Sequence, residues 1–393
     1  MGRTMKLTVL AVVLTCIMLP GLVLSAGKPK AQAAAKEPYK IGGLFSVTGA
    51  SSFLGDPEKK SLEMAVELIN AKGGIDGHKL EAVIYDDEGD PTKAVQFTNK
   101  LISTDKVLAI VGPSLTPTTM PLLPIVEQAK VPLISCAAGN KITSPIGPWV
   151  FKTAQTDTLA VTTIYKYMKK QGIKKIGILC VDNAFGQSGR EQLKEQAPKM
   201  GITVVADEKF GGEDTDMTPQ LTKIKVAKPQ AVVCWGTNPG PAVVARNAMQ
   251  IKLGIPLYMS HGVASPKFIE LAKEAAEGII LPTGNVLVAK LLAASHPQKA
   301  GLDAYVSKYT EKYKANVSGF GGYAWDAMKI LELALAGTNG DREKLRKNIE
   351  KLTGYVGVSG TFKFSASDHN GLGDDAFSMV RIKKGTWELI PVK

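Results

Sequence analysis

The chain has 393 residues, of which 45% are hydrophobic and 21% charged, with a formal net charge of +12. That length allows two to three domains, and the apolar content is ordinary for a globular protein and can fill two cores. The lysines are spread along the chain rather than gathered in a stripe, so no nucleic-acid footprint is present.

Residues 1–35 read as a secretory signal peptide that lies outside the fold. Arg3 and Lys6 give a positive start, residues 7–24 are apolar with a Pro20-Gly21 break, and two small-x-small sites end at Ala33 and Ala35. An uncleaved membrane anchor is the competing reading, because the apolar run is nearly long enough to span a bilayer. Cys16 follows a poor lipidation motif. Removing the four basic residues of this leader lowers the net charge from +12 to +8. We read that excess as a solvated surface, with attraction of an anionic ligand or a membrane as the alternative. The expected location is the periplasm. Three cysteines remain, Cys136, Cys180 and Cys234, and we expect free buried thiols. A Cys180–Cys234 bridge is the alternative.

From residue 39 onward, apolar β-leaning runs alternate with helical patterns. Strands are expected at 39–45, 80–85, 107–111, 132–135, 175–181, 203–207, 231–235, 257–260 and 278–282. Helices are expected at 57–71, 91–103, 118–128, 158–171, 187–199, 218–227, 241–251 and 266–273. A long helical run, 301–351, and a mixed β segment, 355–364 with 375–391, close the chain. Strands separated by helices of this length imply βαβ units, parallel sheets and an α/β fold. So many units exceed one compact core, which predicts two Rossmann-like lobes. The strand-free run 301–351 disfavours a barrel.

One stretch, 68–94, is especially informative. Leu62, Ala65, Val66 and Ile69 share one helix face, Gly73 ends the helix, residues 80–85 form a strand, and Asp90-Pro91 open the next helix. This pattern, INAKGGI followed by YDD and DP, resembles the branched-chain amino acid binding proteins of bacterial ABC importers, which are type I periplasmic binding proteins. The resemblance runs from about residue 39 to 393. It implies two lobes joined by three crossovers: 38–155 plus 284–355, and 156–283 plus 356–393. It further implies a ligand cleft between the lobes, no cofactor, and permease and ATPase partners at the inner membrane. Some relatives carry a disulfide at positions matching Gly89 and Leu115, so that bridge is absent here.

The residues themselves offer no catalytic set. No dinucleotide fingerprint, phosphate loop, zinc-helix motif or nucleophile elbow occurs, and the four histidines are far apart in sequence. Small, polar loops instead follow the strands, where open α/β sheets bind ligands. They are residues 112–116, 135–140, 182–186, 236–239 and 261–264. Ordinary loop and cap chemistry is the competing reading for each. The resemblance assigns Ser114, Thr116 and Ala137 to carboxylate and backbone contacts, and Phe185 to a position that closes over the ligand. Trp235 is read as core. At positions where amino-acid-binding relatives carry Thr, Tyr and Glu around the ligand's head, this chain has Gly139, Thr237 and His261, and Leu54 replaces a Tyr. Gly139 is expected to widen the pocket. The expected function is capture of a small hydrophobic amino acid or related carboxylate by hinge closure, with no enzyme activity. Two alternatives stay open: a binder of an aromatic or branched-chain acid that lacks the α-ammonium, and a ligand-sensing module for a receptor.

Overall fold

The computed structural model describes residues 36–391 and a few scattered positions before them. The expected signal peptide and Cys16 lie outside the described residues. Among those described, no helix is long and apolar enough to cross a membrane.

The strands are β1 (Lys36–Phe45), β2 (His78–Asp86), β3 (Ala109–Val111), β4 (Leu133–Ser135), β5 (Val150–Lys152), β6 (Lys175–Val181), β7 (Thr203–Phe210), β8 (Ala231–Trp235), β9 (Leu257–Met259), β10 (Ile280–Thr283), β11 (Thr353–Val356), β12 (Thr361–Lys363), β13 (Ser378–Lys383) and β14 (Thr386–Leu389). The helices are α1 (Ser52–Ala71), α2 (Pro91–Ser103), α3 (Thr116–Thr119), α4 (Leu123–Ala129), α5 (Asp157–Lys170), α6 (Ala184–Gln196), α7 (Thr218–Val226), α8 (Gly240–Gln250), α9 (Pro266–Ala272), α10 (Lys299–Tyr313), α11 (Gly319–Leu335) and α12 (Arg342–Glu350).

Two α/β lobes result. The first has a parallel sheet in the order β2-β1-β3-β4-β5. The second runs β14-β13-β10-β9-β8-β6-β7, in which β13 and β14 are antiparallel additions at one edge. Each sheet carries apolar clusters on both faces, as right-handed βαβ crossovers require. Leu62, Ala65, Val66 and Ile69 of α1 are all buried, and α2 starts as the sequence predicts: Asp90 accepts from the Thr92 N–H at 2.6 Å, with Pro91 in the first turn. At the turn after α1, Gly74 is the position with no room for a side chain. It has φ +84°, and a Cβ would lie 1.9 Å from the His78 carbonyl.

Several expectations change. α1 begins at Ser52, five residues before the expected start, and carries Pro57 inside it. The expected helix over 118–128 is broken into α3, a 3₁₀ turn at Met120–Leu122 and α4, because Pro117, Pro121 and Pro124 each remove a donor from the ladder. Strand β5 escaped the sequence reading; three residues leave too short a pattern to detect. The last passage between lobes lies near 377 rather than 355/356. Phe362, Phe364, Leu372 and Ala376 pack in the first lobe's core, and only from Ser378 does the chain pair with β10. Phe364 also sets its ring edge-on to Phe151 of β5, which holds this segment to the first lobe. Cys136, Cys180 and Cys234 are free and buried. A bridge between the last two is excluded by register: Cys234 sits opposite Leu179, so Cys180 and Cys234 belong to opposite faces of the sheet.

Candidate binding cleft

Both sheets reverse their winding at the strand second from one edge, β1 between β2 and β3, and β6 between β7 and β8. The loops leaving the carboxyl ends at these two switch points line a single cleft. Its volume is about 290 Å³, suited to a small molecule.

Leu54, Ser114, Thr116 and Ala137 line it from the first lobe, and Phe185, Thr237 and His261 from the second. Gly139 does not line it. Its N–H donates to Thr116 Oγ1 at 3.1 Å, and a Cβ there would lie 2.4 Å from Thr116 Cγ2. The absent side chain therefore makes room for Thr116 rather than for a ligand, which corrects the expectation that Gly139 widens the pocket. Gly89 and Leu115, the positions matching the missing disulfide, both line the cleft.

Ser114 is the most heavily wired of these residues. The Ser46 N–H donates to Ser114 Oγ at 3.1 Å, and Ser114 shares a short hydrogen bond with Glu58 of α1. Ser46 Oγ in turn donates to Asp87 at 2.6 Å. Glu58 and Asp87 are both fully buried, and each keeps one oxygen without a partner among the described residues. Burial drives the Glu58 carboxyl well above its ordinary range, against the Ser114 hydrogen bond and aided by nearby Asp87.

On the other wall, Asn183 caps α6, accepting from the N–H groups of Phe185 and Gly186 at 3.0 Å, and so orients Phe185 at the cleft. Phe185 also joins the core beside Trp235, which is fully buried. His261 stands among Phe185, Trp235 and Phe377, edge-on to each ring. Neither ring nitrogen has a partner among the described residues, apart from Asp157 at 3.9 Å. Burial, with Lys152 nearby, pulls its pKa down to about 3, so the imidazole is neutral at pH 7. Asn238 is also buried at the cleft, with both side-chain polar atoms unpartnered among the described residues.

Behind the cleft, Lys152 of β5 is fully buried and donates to the carbonyls of Ala138 and Gly139. Burial lowers its pKa and raises that of Asp157, each opposed by attraction to the other. Ser188 and Trp235 lie close enough to favour the Asp157 carboxylate without an aligned hydrogen bond. The passages between lobes meet at Gln155. Its amide donates to the Ser359 and Ala376 carbonyls and accepts from Tyr323 Oη at 2.7 Å. Among the lining residues the only carboxylate is Glu213, in the exposed loop after β7. Among the described residues, no group of three or more His, Cys, Asp or Glu side chains is placed to hold a metal ion.

Residues 38–386 match the family model described as periplasmic binding protein. The chain belongs to this family. Its members are solute carriers rather than enzymes, and the family is one of periplasmic and extracellular proteins. Among curated relatives, the leucine-, isoleucine-, valine-, threonine- and alanine-binding protein of Pseudomonas aeruginosa is 29% identical over 276 residues, covering 70% of this chain and 72% of that protein. Among solved structures, an extracellular ligand-binding receptor from Rhodopseudomonas palustris HaA2 superposes with a TM-score of 0.83 at 30% identity, covering 90% of this chain and 99% of that one. A branched-chain amino acid transporter substrate binding protein from Streptococcus pneumoniae, in complex with isoleucine, gives 0.80 at 26% identity, over 90% and 99% of the two chains.

Sequence reasoning missed several residues of this periplasmic binding protein's cleft. Asn238 lay inside a recognised loop, where an Asn-Pro pair after a strand was a usable signal. Tyr323 and Phe320 come from α11, whose pattern reads only as a buried helix. Glu58, Lys152 and Asp157 carried no local mark, since nothing in a charged residue's neighbours announces its burial.

Proposed function

We propose that this periplasmic binding protein captures a small hydrophobic amino acid or related carboxylate by closing its two lobes on it. The permease and ATPase subunits of an ABC importer are its partners on this reading, and the periplasm is its place of work. The observation that carries it is the pairing of two switch-point loop sets around one small cleft. Leu54, Phe185 and Phe320 supply apolar contact there, and Ser114, Thr116, Thr237 and Asn238 supply hydrogen bonds. Relatives described as binding leucine, isoleucine and valine support the ligand class. Mass spectrometry of small molecules released from the denatured protein tests it. A branched-chain amino acid or small carboxylate is expected; a sugar, a nucleotide or a peptide would overturn it.

One observation favours a narrower ligand, a carboxylate without an α-ammonium. The cleft's single lining carboxylate sits in an exposed loop, His261 is neutral, and Lys152 already occupies the Ala138 and Gly139 carbonyls. A desolvated ammonium needs a charged or multiple-acceptor partner, and losing one costs about 1.5–3 kcal/mol. A thermal-shift panel decides between them, comparing leucine and valine with 4-methylpentanoate, 3-methylbutanoate and benzoate. Stabilisation by the amino acids alone would refute the narrower reading.

A further inference from the structure

Ser114 Oγ accepts from the Ser46 N–H at 3.1 Å and shares a second hydrogen bond with Glu58. A hydroxyl has one proton and two lone pairs. Ser46 takes one lone pair, so the Glu58 contact uses either the proton or the second lone pair. An ionised Glu58 can only accept, and it would turn the Ser114 proton away from the cleft. A neutral Glu58 can donate through Oε2 instead, and the Ser114 proton is then free to reach a ligand.

The surroundings favour the neutral form. Glu58 is fully buried, makes no ion pair among the described residues, and keeps Oε1 without a partner. The titratable groups facing it are Asp87 from the turn after β2, Cys136 from the end of β4 and Tyr323 from α11. Each is an acid, so none offsets a negative charge. A carboxylate stripped of water with one hydrogen bond and no cation is strongly disfavoured. An ionised Glu58 would also repel an anionic ligand held at Ser114.

We infer that Glu58 is a positioning residue for ligand capture: as a neutral acid it donates to Ser114 Oγ and leaves the single Ser114 hydroxyl proton to point at the ligand's carboxylate. This rests on the reading of the cleft as a carboxylate site. Glu58 never touches the ligand; it fixes which way Ser114 faces. Binding and protonation are then linked, and once Glu58 ionises the affinity falls about tenfold per pH unit.

The test pairs infrared spectroscopy with calorimetric titration of leucine and of 4-methylpentanoate between pH 6 and pH 10, on wild type, Glu58→Gln and Ser114→Ala. Wild type is expected to show a protonated-carboxyl carbonyl stretch at neutral pH that Glu58→Gln lacks. Its affinity should track that band, falling only as the band bleaches. Glu58→Gln, whose amide still donates, should bind within about threefold of wild type at neutral pH and show no such fall. Ser114→Ala should bind at least tenfold more weakly, with residual affinity independent of the band. Absence of the band, an affinity that ignores it, or an unchanged alkaline fall in Glu58→Gln would overturn the assignment. Where Glu58→Gln fails to fold, Ser114→Ala carries the test, because a persisting link between its affinity and the band also overturns it. If neither probe binds any form, the carboxylate reading has failed instead, and the infrared band still reports on Glu58.

Discussion

Gly139→Ala isolates the contact that shapes a loop of the first lobe beside the cleft. Gly139 has φ −51° and ψ 133°, which alanine adopts without strain, so any effect comes from the added methyl group. That group would lie 2.4 Å from Thr116 Cγ2 and 3.0 Å from its Oγ1, where ordinary contacts are 3.4–4 Å. Relief requires the loop or Thr116 to retreat by roughly 1 Å, an overpacking cost of about 1–3 kcal/mol. Retreat also stretches the 3.1 Å bond from Gly139 N–H to Thr116 Oγ1, worth about 1 kcal/mol. For a lobe of this size the sum lowers Tm by about 5–10 °C. Thr116 faces the cleft, so ligand affinity should fall about tenfold as well. Thr116→Ser removes the clashing methyl while keeping the hydroxyl, so the double variant should recover most of both losses. Calorimetric melting and titration of the four proteins close a double-mutant cycle. A coupling energy near zero, or wild-type melting and affinity in Gly139→Ala, would refute the contact.

Three further outcomes follow from buried groups. Gly189→Ala sets a methyl 2.2 Å from Trp235 Nε1, and the indole is fully buried, so a loss of about 3 kcal/mol is expected; an unchanged urea midpoint would contradict this. His261→Leu should leave Tm nearly unchanged, since among the described residues no partner lies within hydrogen-bonding distance of either ring nitrogen, while shifting ligand preference in the thermal-shift panel; a large drop in Tm would show a structural bond that the geometry lacks. Asp326 accepts from Val358 N–H at 3.0 Å and Ser359 N–H at 2.7 Å, yet burial raises its pKa to about 6. A raised acid binds more protons folded than unfolded, so its contribution to stability declines by about 3 kcal/mol as pH rises from 4 through 6. Asp326→Asn should remove that limb and be less stable at every pH, because one acceptor becomes a donor. Urea melts from pH 4 to pH 7 check it: a wild-type-minus-variant difference that does not shrink with rising pH refutes the assignment.

The scaffold was legible because its signals are local. β6 and β8 occupy the expected residues, and Asp90-Pro91 opens α2 as read. The cleft loops were legible for a related reason: small polar residues after an apolar run mark a strand's carboxyl end wherever it folds. What failed was non-local. The segment 353–376 stays with the first lobe because Phe364, stacked on Phe362, meets Phe151, a partner more than two hundred positions away in sequence. Gly139 read as open space for a ligand, yet its neighbour is Thr116, which the sequence sets 23 positions earlier. Glu58 carries no local mark on α1, and only the approach of Ser114 gives it a role.

Polarity around this cleft is left uncompensated in a consistent way. Glu58, Asp87, Asn238 and His261 are buried, and each carries at least one polar atom without a partner among the described residues. Leaving such an atom unpaired costs about 1–3 kcal/mol, so the fold alone gives no reason to retain them. They come from both lobes, and on the proposed reading a ligand that bridges the cleft would meet Asn238 and His261 on one wall and Ser114 on the other. On the proposed reading, that ligand's head group decides affinity. A site built to hydrogen-bond a polar group rejects analogues lacking it by large factors, whereas one methylene in the tail changes binding by only about 1–3 kcal/mol. The cleft should therefore tolerate tails from three to five carbons and reject the matching amide or alcohol. A binder that ranked ligands by tail length while accepting the amide would have its selectivity in the apolar wall of Leu54, Phe185 and Phe320, and the polar atoms would need another explanation.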